Sequence, residues 1–160
     1  MTLRIGLGYD SHRFVPGRPL VLGGVSIPHP QGLAGHSDAD AVAHALTDAI
    51  LGAAGLSDIG AHFPPTDPAW KDADSIRLLE LAHDRVREAG WRMLQADITV
   101  VAEFPRIGPH ARAMAARLAA ATGAAAAFIS VKGKTNEGMG WIGRGEGVAV
   151  IAIASLEPLR

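Results

Sequence analysis

Arg4-Ile5-Gly6-Leu7-Gly8-Tyr9-Asp10-Ser11-His12 alternates Ile5, Leu7 and Tyr9 against glycine and polar residues. A period of two belongs to a strand, so the stretch reads as a half-buried β-strand near the N-terminus. Asp10 and His12 stand two apart at its end and therefore share a face. A carboxylate oxygen beside an imidazole nitrogen suits a divalent metal, and zinc takes both at ~2.0–2.2 Å. His44, on a later helix, is the third candidate ligand. Three protein ligands leave a tetrahedral ion one open position, which marks a catalytic rather than a structural site. Asp-x-His is common by chance, and a helical histidine is more often simply packed or solvated. The company of His36, Asp40 and Asp48 shifts the balance toward a metal.

Outward from that strand, Leu20–Leu22 and Val25–Ile27 flank Gly23-Gly24, a short hairpin signal. Residues 29–37 carry Pro, Gly and His and read as loop. Ser37 has the form of an N-cap, with Asp38 and Asp40 in the first turn of a helix over 38–53. That helix puts Val42, Ala45, Leu46, Ala49, Ile50 and Ala53 on one face. Asp40, His44 and Asp48 follow at four-residue spacing on another, where the two carboxylates are placed to orient the imidazole. The plainer reading of Asp48 is a solvated helix face. Residues 55–73 form a long Gly-, Pro- and Asp-rich connection, and Leu56, Ile59, Phe63 and Trp70 argue that it is ordered.

A helix over 74–89 ends at Gly90, a strand runs from Arg92 to Glu103, and an Ala-rich helix spans 109–122 before Gly123. Phe128–Val131 and Val148–Ala154 are the last strands; the latter is apolar on both faces and reads as central. This order predicts an α+β fold in one domain, residues 1–160. The 160 residues include no cysteine, which excludes disulfides and thiolate metal sites. No apolar run reaches the ~18–20 residues of a membrane span, and no signal-peptide core is visible, so the expected location is cytoplasmic, without a membrane partner. A net charge of −1 gives no general attraction for nucleic acid. An anionic ligand must be held by local cations and metal.

Two further segments point to such a ligand. Lys132-Gly133-Lys134-Thr135-Asn136-Glu137 follows a strand and runs into a glycine-rich stretch holding Trp141 and Arg144. Glycines let backbone N–H groups approach phosphate oxygens, the cations supply charge, and Glu137 is suited to a second hard cation. Walker A spacing is absent, and a plain glycine-rich turn is the competing reading. Ala102-Glu103-Phe104-Pro105-Arg106-Ile107-Gly108 lies at a strand-to-helix junction, where a helix N-terminus can take a phosphate.

Together these segments resemble the 2-C-methyl-D-erythritol 2,4-cyclodiphosphate synthase family. The matching pieces run almost end to end: Gly6 to Phe14, Gly35-His36-Ser37-Asp38-Ala39-Asp40 to His44 and Asp48, Leu51-Gly52-Ala53, Asp58 to Pro64, Thr66-Asp67, Glu103, Lys132 to Glu137 and Gly143-Arg144-Gly145-Glu146-Gly147. The resemblance implies a ferredoxin-like sheet packed by helices and a homotrimer with active sites at the subunit interfaces. It implies Zn2+ on Asp10, His12 and His44, and Mg2+ or Mn2+ on Glu137 and the substrate phosphates. The implied substrate is 4-diphosphocytidyl-2-C-methyl-D-erythritol 2-phosphate, cyclised with loss of CMP in non-mevalonate isoprenoid synthesis. His36 and Thr135 would stabilise the transition state. Ser37, Asp58, Gly60 and Asp67 would contact the methylerythritol phosphate end. Ala102, Pro105, Arg106, Ile107, Gly108, Lys132 and Lys134 would hold cytidine diphosphate, with Trp141 and Arg144 completing the substrate contacts.

Pro65, Arg106, Lys134, Asn136 and Trp141 depart from residues frequent in that family. None belongs to the metal triad. Met1 immediately before the first strand gives the expectation of the synthase alone, without the cytidylyltransferase to which some bacteria fuse it. Two other readings remain open at this point. One is a zinc-dependent phosphohydrolase, against which stands the lack of a residue placed to activate water. The other is a protein that binds an isoprenoid diphosphate in a cavity on the trimer axis, beside Gly143-Arg144-Gly145-Glu146.

Overall fold

A computed structural model describes residues 2–159. Met1 and Arg160, the ends of the expected domain, lie outside the described residues. Five strands form the main sheet in the order β4-β1-β7-β5-β6: β1 (Arg4–Val15), β4 (Gly32–Leu33), β5 (Trp91–Val101), β6 (Ile129–Lys134) and β7 (Gly147–Pro158). β2 (Leu20–Leu22) and β3 (Val25–Ile27) pair as the expected hairpin. β7 sits in the middle, antiparallel to both β1 and β5, so β1 and β5 run parallel to each other with β7 between. That split arrangement is the ferredoxin-like element of the fold. The β5–β6 pair is parallel, however, so the sheet is mixed. The fold is α+β.

Glycine decides which face of β1 the helices cover. Side chains at Gly6 and Gly8 would put a Cβ 2.0 Å from the Ala49 carbonyl oxygen and 1.8 Å from that of Ala45. The backbone of α1 (Ala41–Ala54) therefore rests directly on the strand. Only His44, Asp48 and Gly52 of α1 escape full burial, because α3 (Ser75–Glu88) covers its other side. α4 (Gly108–Thr122) covers β6 and reaches the hairpin, where the Met114 side chain lies against Gly23. Ile5, Leu7 and Tyr9 point the other way and are 73%, 65% and 53% exposed. The expected half-buried strand is thus buried through its glycines, not through its large apolar residues.

The start of α1 also differs from the expectation. Asp40, not Ser37, is the N-cap, and its carboxylate accepts from the N–H groups of Val42, Ala43, Gly23 and Gly24. One fully buried side chain thus caps the helix and pins the turn between β2 and β3, where both glycines have positive φ. Asp48 accepts from the Ile59 N–H. Neither carboxylate is directed to the His44 ring, so their expected orienting role is withdrawn. The connection over 55–73 is ordered: α2 (Ile59–His62) and a 3-10 turn (Pro68–Trp70) bring Phe63 into the core. The sixth strand starts at Ile129, one residue later than expected, because Phe128 ends a 3-10 turn.

Candidate metal centre and phosphate site

Register carries Asp10 and His12 to the end of β1 on the face that α1 covers, and α1 brings His44 above them. Asp10 Oδ2 lies 2.9 Å from His12 Nε2 and 3.1 Å from His44 Nδ1, and the two nitrogens are 3.3 Å apart. An ion ~2.0–2.2 Å from each of three tetrahedral ligands needs ligand atoms about 3.3–3.6 Å apart. The triangle is slightly tighter than that, so the donor set fits a divalent metal with small adjustment. Burial would raise the Asp10 pKa, but hydrogen bonds and charge from His12 and His44 outweigh it and lower it to about 2. Burial likewise opposes charge on His12, and its contact with Asp10 reverses the balance and raises its pKa. Proton and metal therefore compete for the same atoms. The second nitrogen of His12 donates to the Ala34 carbonyl at 2.6 Å, and that of His44 faces Ser75 Oγ at 2.8 Å.

A cavity of about 250 Å³ opens beside this centre, lined by His12, His36, Ser37, His44, Ile59, Gly60, Phe63, Pro65, Trp70 and Leu78. His36 is exposed, with Nε2 3.4 Å from the Asp67 carbonyl oxygen. Asp58 and Asp67 cap the two short helical turns of the wall through Ala61 N–H and Ala69 N–H. Two arrangements absent from the sequence reading support these walls. Arg18 donates to the carbonyls of Gly35 and Ser37, on either side of His36, at 2.7 and 2.5 Å. Arg85 contacts His62 Nδ1 and lies 4.9 Å over the Phe63 ring, while His62 Nε2 donates to the Leu56 carbonyl.

A second cavity of about 310 Å³ joins the two remaining segments: Ala102 to Gly108 line it together with Gly133, Lys134 and Thr135. Glu103 Oε1 accepts from the N–H groups of Asn136 and Gly138, which ties the glycine-rich turn to the end of β5. Thr135 Oγ1 lies 3.3 Å from Glu137 Oε1, and Glu137 holds a φ of 52°. Lys132 is not brought to this cavity; its ammonium pairs with Asp97 on the open face of the sheet. Trp141 lines a third cavity of about 590 Å³ that reaches His12. Arg144 pairs with Glu146 at 2.6 Å. No residue lines both the metal-side cavity and the Ala102–Thr135 cavity.

The family model that matches this chain covers residues 3–157 and is described as the YgbB family. The chain belongs to the YgbB family. Relatives named 2-C-methyl-D-erythritol 2,4-cyclodiphosphate synthase include one from Bordetella petrii, 58% identical over 156 residues, which are 98% of this chain and 96% of the relative. Another, from Symbiobacterium thermophilum, is 59% identical over 150 residues, 94% of this chain and 96% of the relative. Among solved YgbB-like structures, a CDP-bound form of a synthase of that name is 42% identical with a TM-score of 0.88, covering 96% of this chain and 100% of that one. The bifunctional IspDF of Campylobacter jejuni superposes with a TM-score of 0.95 at 44% identity; this chain covers 43% of its length. No helix of the described residues is long and apolar enough to cross a membrane.

Proposed function

We propose that this YgbB-family chain converts 4-diphosphocytidyl-2-C-methyl-D-erythritol 2-phosphate to the 2,4-cyclodiphosphate and CMP. The observation that carries the reading is the half-buried Asp10–His12–His44 triangle, in a chain 58% identical along nearly its whole length to a synthase of that reaction. An oxygen of the substrate's 2-phosphate bonds to the β-phosphorus, and the bond from that phosphorus to the CMP oxygen breaks. The reaction is intramolecular, so catalysis reduces largely to positioning and to neutralising phosphate charge.

Zn2+ on the triad, with its open position, would polarise the β-phosphate, and Mg2+ or Mn2+ would neutralise the diphosphate with Glu137 as its protein ligand. Ser37 and Gly60, which line the metal-side cavity, and Asp58 and Asp67, which cap the turns of its wall, contact the methylerythritol phosphate end. His36, at its rim, and Thr135 donate hydrogen bonds to phosphate oxygens as charge builds during transfer. Residues 102–108 with Gly133, Lys134 and Thr135 hold the cytidine diphosphate end; the CDP-bound relative supports that class of ligand. Lys132, turned onto the open face, is left out of this assignment.

Two observations support a homotrimer with interfacial sites. The metal-side cavity and the cytidine-side cavity share no residue, so a neighbouring copy can supply one to the other. Ile5, Leu7, Tyr9, Ile151 and Ile153 form a continuous apolar patch across paired strands on the open face of the sheet. Such a patch marks an association surface.

Phosphorus NMR with the cytidyl substrate and Mg2+, before and after zinc removal, tests the reading. A cyclic diphosphate with released CMP, lost without zinc, is the expected result. A linear product would instead establish hydrolysis.

A further inference from the structure

We propose that Ser75 and Asp38 are positioning residues for the metal centre, linked to His44 by a directed hydrogen-bond chain. The inference rests on the triad being a divalent-metal site. His44 Nδ1 belongs to the ligand triangle, so the ring proton sits on Nε2. That nitrogen lies 2.8 Å from Ser75 Oγ. Ser75 can accept there because its own hydroxyl proton goes to Asp38 Oδ1, which is in contact with it and, as a carboxylate oxygen, only accepts. Each group in the chain then donates to the next, from imidazole to hydroxyl to carboxylate.

The surroundings hold this chain in place. Ser75 is fully buried at the first position of α3, and its backbone N–H donates to Asp38 Oδ2 at 3.2 Å. Asp38 Oδ1 also accepts from the Asp40 N–H at the entry to α1. One carboxylate thus ties the start of α3 to the entry of α1, the helix that carries His44. Ser37 Oγ is farther from His44 Nε2, at 3.2 Å, and already accepts from the Ala39 N–H. It also lies 3.3 Å from Ser75 Oγ, to which its hydroxyl can donate.

The two histidines differ in this respect. His12 leans on a backbone carbonyl, which no substitution removes, whereas His44 leans on side chains. A ligating imidazole backed by a carboxylate is held in one tautomer and donates more strongly to its metal; loss of such an outer partner typically costs ~10–100-fold in affinity. Asp40 commits both carboxylate oxygens to backbone N–H groups and Asp48 commits Oδ1 to the Ile59 N–H, and neither carboxylate is hydrogen-bonded to the His44 ring.

The test is zinc affinity of the full chain by chelator competition at fixed pH, with no turnover in the readout. S75A is expected to weaken zinc ~10–100-fold, and D38N to fall between it and the parent protein. D74A removes the α3 cap to Ile76 N–H without touching the chain and is expected to leave zinc affinity within about two-fold. In zinc-loaded parent protein the His44 Nε2–H should appear as an exchange-protected signal in 1H–15N spectra, and S75A should abolish it. Should S75A not fold, D38N and the parent spectrum still decide. Unchanged affinity in the folded variants, or equal weakening by D74A, overturns the proposal. Failure of the parent protein to bind zinc would overturn the metal reading itself, which is a separate result.

Discussion

The two faces of β1 are built on opposite rules. Toward α1 the strand shows Gly6, Gly8, Asp10 and His12: no bulk where the helix backbone rests, then candidate ligands where the helix presents His44. Toward the open side it shows Ile5, Leu7 and Tyr9, beside Ile151 and Ile153 of β7. A strand with large apolar residues on its uncovered face and glycine on its covered face has one partner within the chain, a helix in close backbone contact. Burial of the glycine face brings the three candidate ligands together, and the open apolar face is the surface on which the proposed homotrimer would form.

Gly8→Val should give the largest effect, because a Cβ there meets the Ala45 carbonyl and its backbone, which cannot rotate aside. The expected loss is about 3 kcal/mol or more in denaturant unfolding, with much of the protein insoluble. A Gly8→Val chain of parental stability would break the description of the covered face. Leu7→Asp strikes the other face. It should shift sedimentation from the three-chain to the one-chain mass while far-UV circular dichroism stays native, since Leu7 is 65% exposed within the chain. A one-chain mass for the parent protein would remove the interfacial site altogether.

Proton competition sharpens the picture at the end of the covered face. Metal binding requires neutral His12, whose pKa lies above 6.5, burial being outweighed by Asp10. Zinc affinity, followed by chelator competition from pH 8 to pH 5, should fall as the pH drops through that raised value. Asp10, lowered to about 2, stays ionised throughout and contributes no slope in that range. A flat profile would exclude His12 as a ligand. The smallest effect is expected from Lys132→Ala. Its pair with Asp97 is about half exposed at both ends, so unfolding stability should change by no more than ~1 kcal/mol.

Much of this was legible in the linear chain where a local rule applied. Gly23-Gly24 between short apolar runs gave the hairpin its place, Gly90 and Gly123 end their helices, and the two-residue spacing of Asp10 and His12 put them on one face. The start of α1 was misplaced because Ser37 and Asp40 are both good cap residues. Their choice depends on the hairpin, whose N–H groups only Asp40 reaches. Ser75 gave no signal at all. Asp74-Ser75 reads as an ordinary helix start, and its approach to His44, 31 residues away, depends on how α3 packs on α1.

The sequence by itself therefore determined the main helices and strands, the central position of the all-apolar last strand and the three side chains that form the candidate metal triangle, since each follows from periodicity, turn chemistry or donor type. Tertiary structure alone decided which face of β1 is covered, which carboxylates serve helix caps and which serves His44, and that Lys132 leaves the phosphate segment for Asp97. Those choices are made by contacts between residues far apart in sequence, where a single backbone approach or a single N–H group settles between side chains of equal local merit.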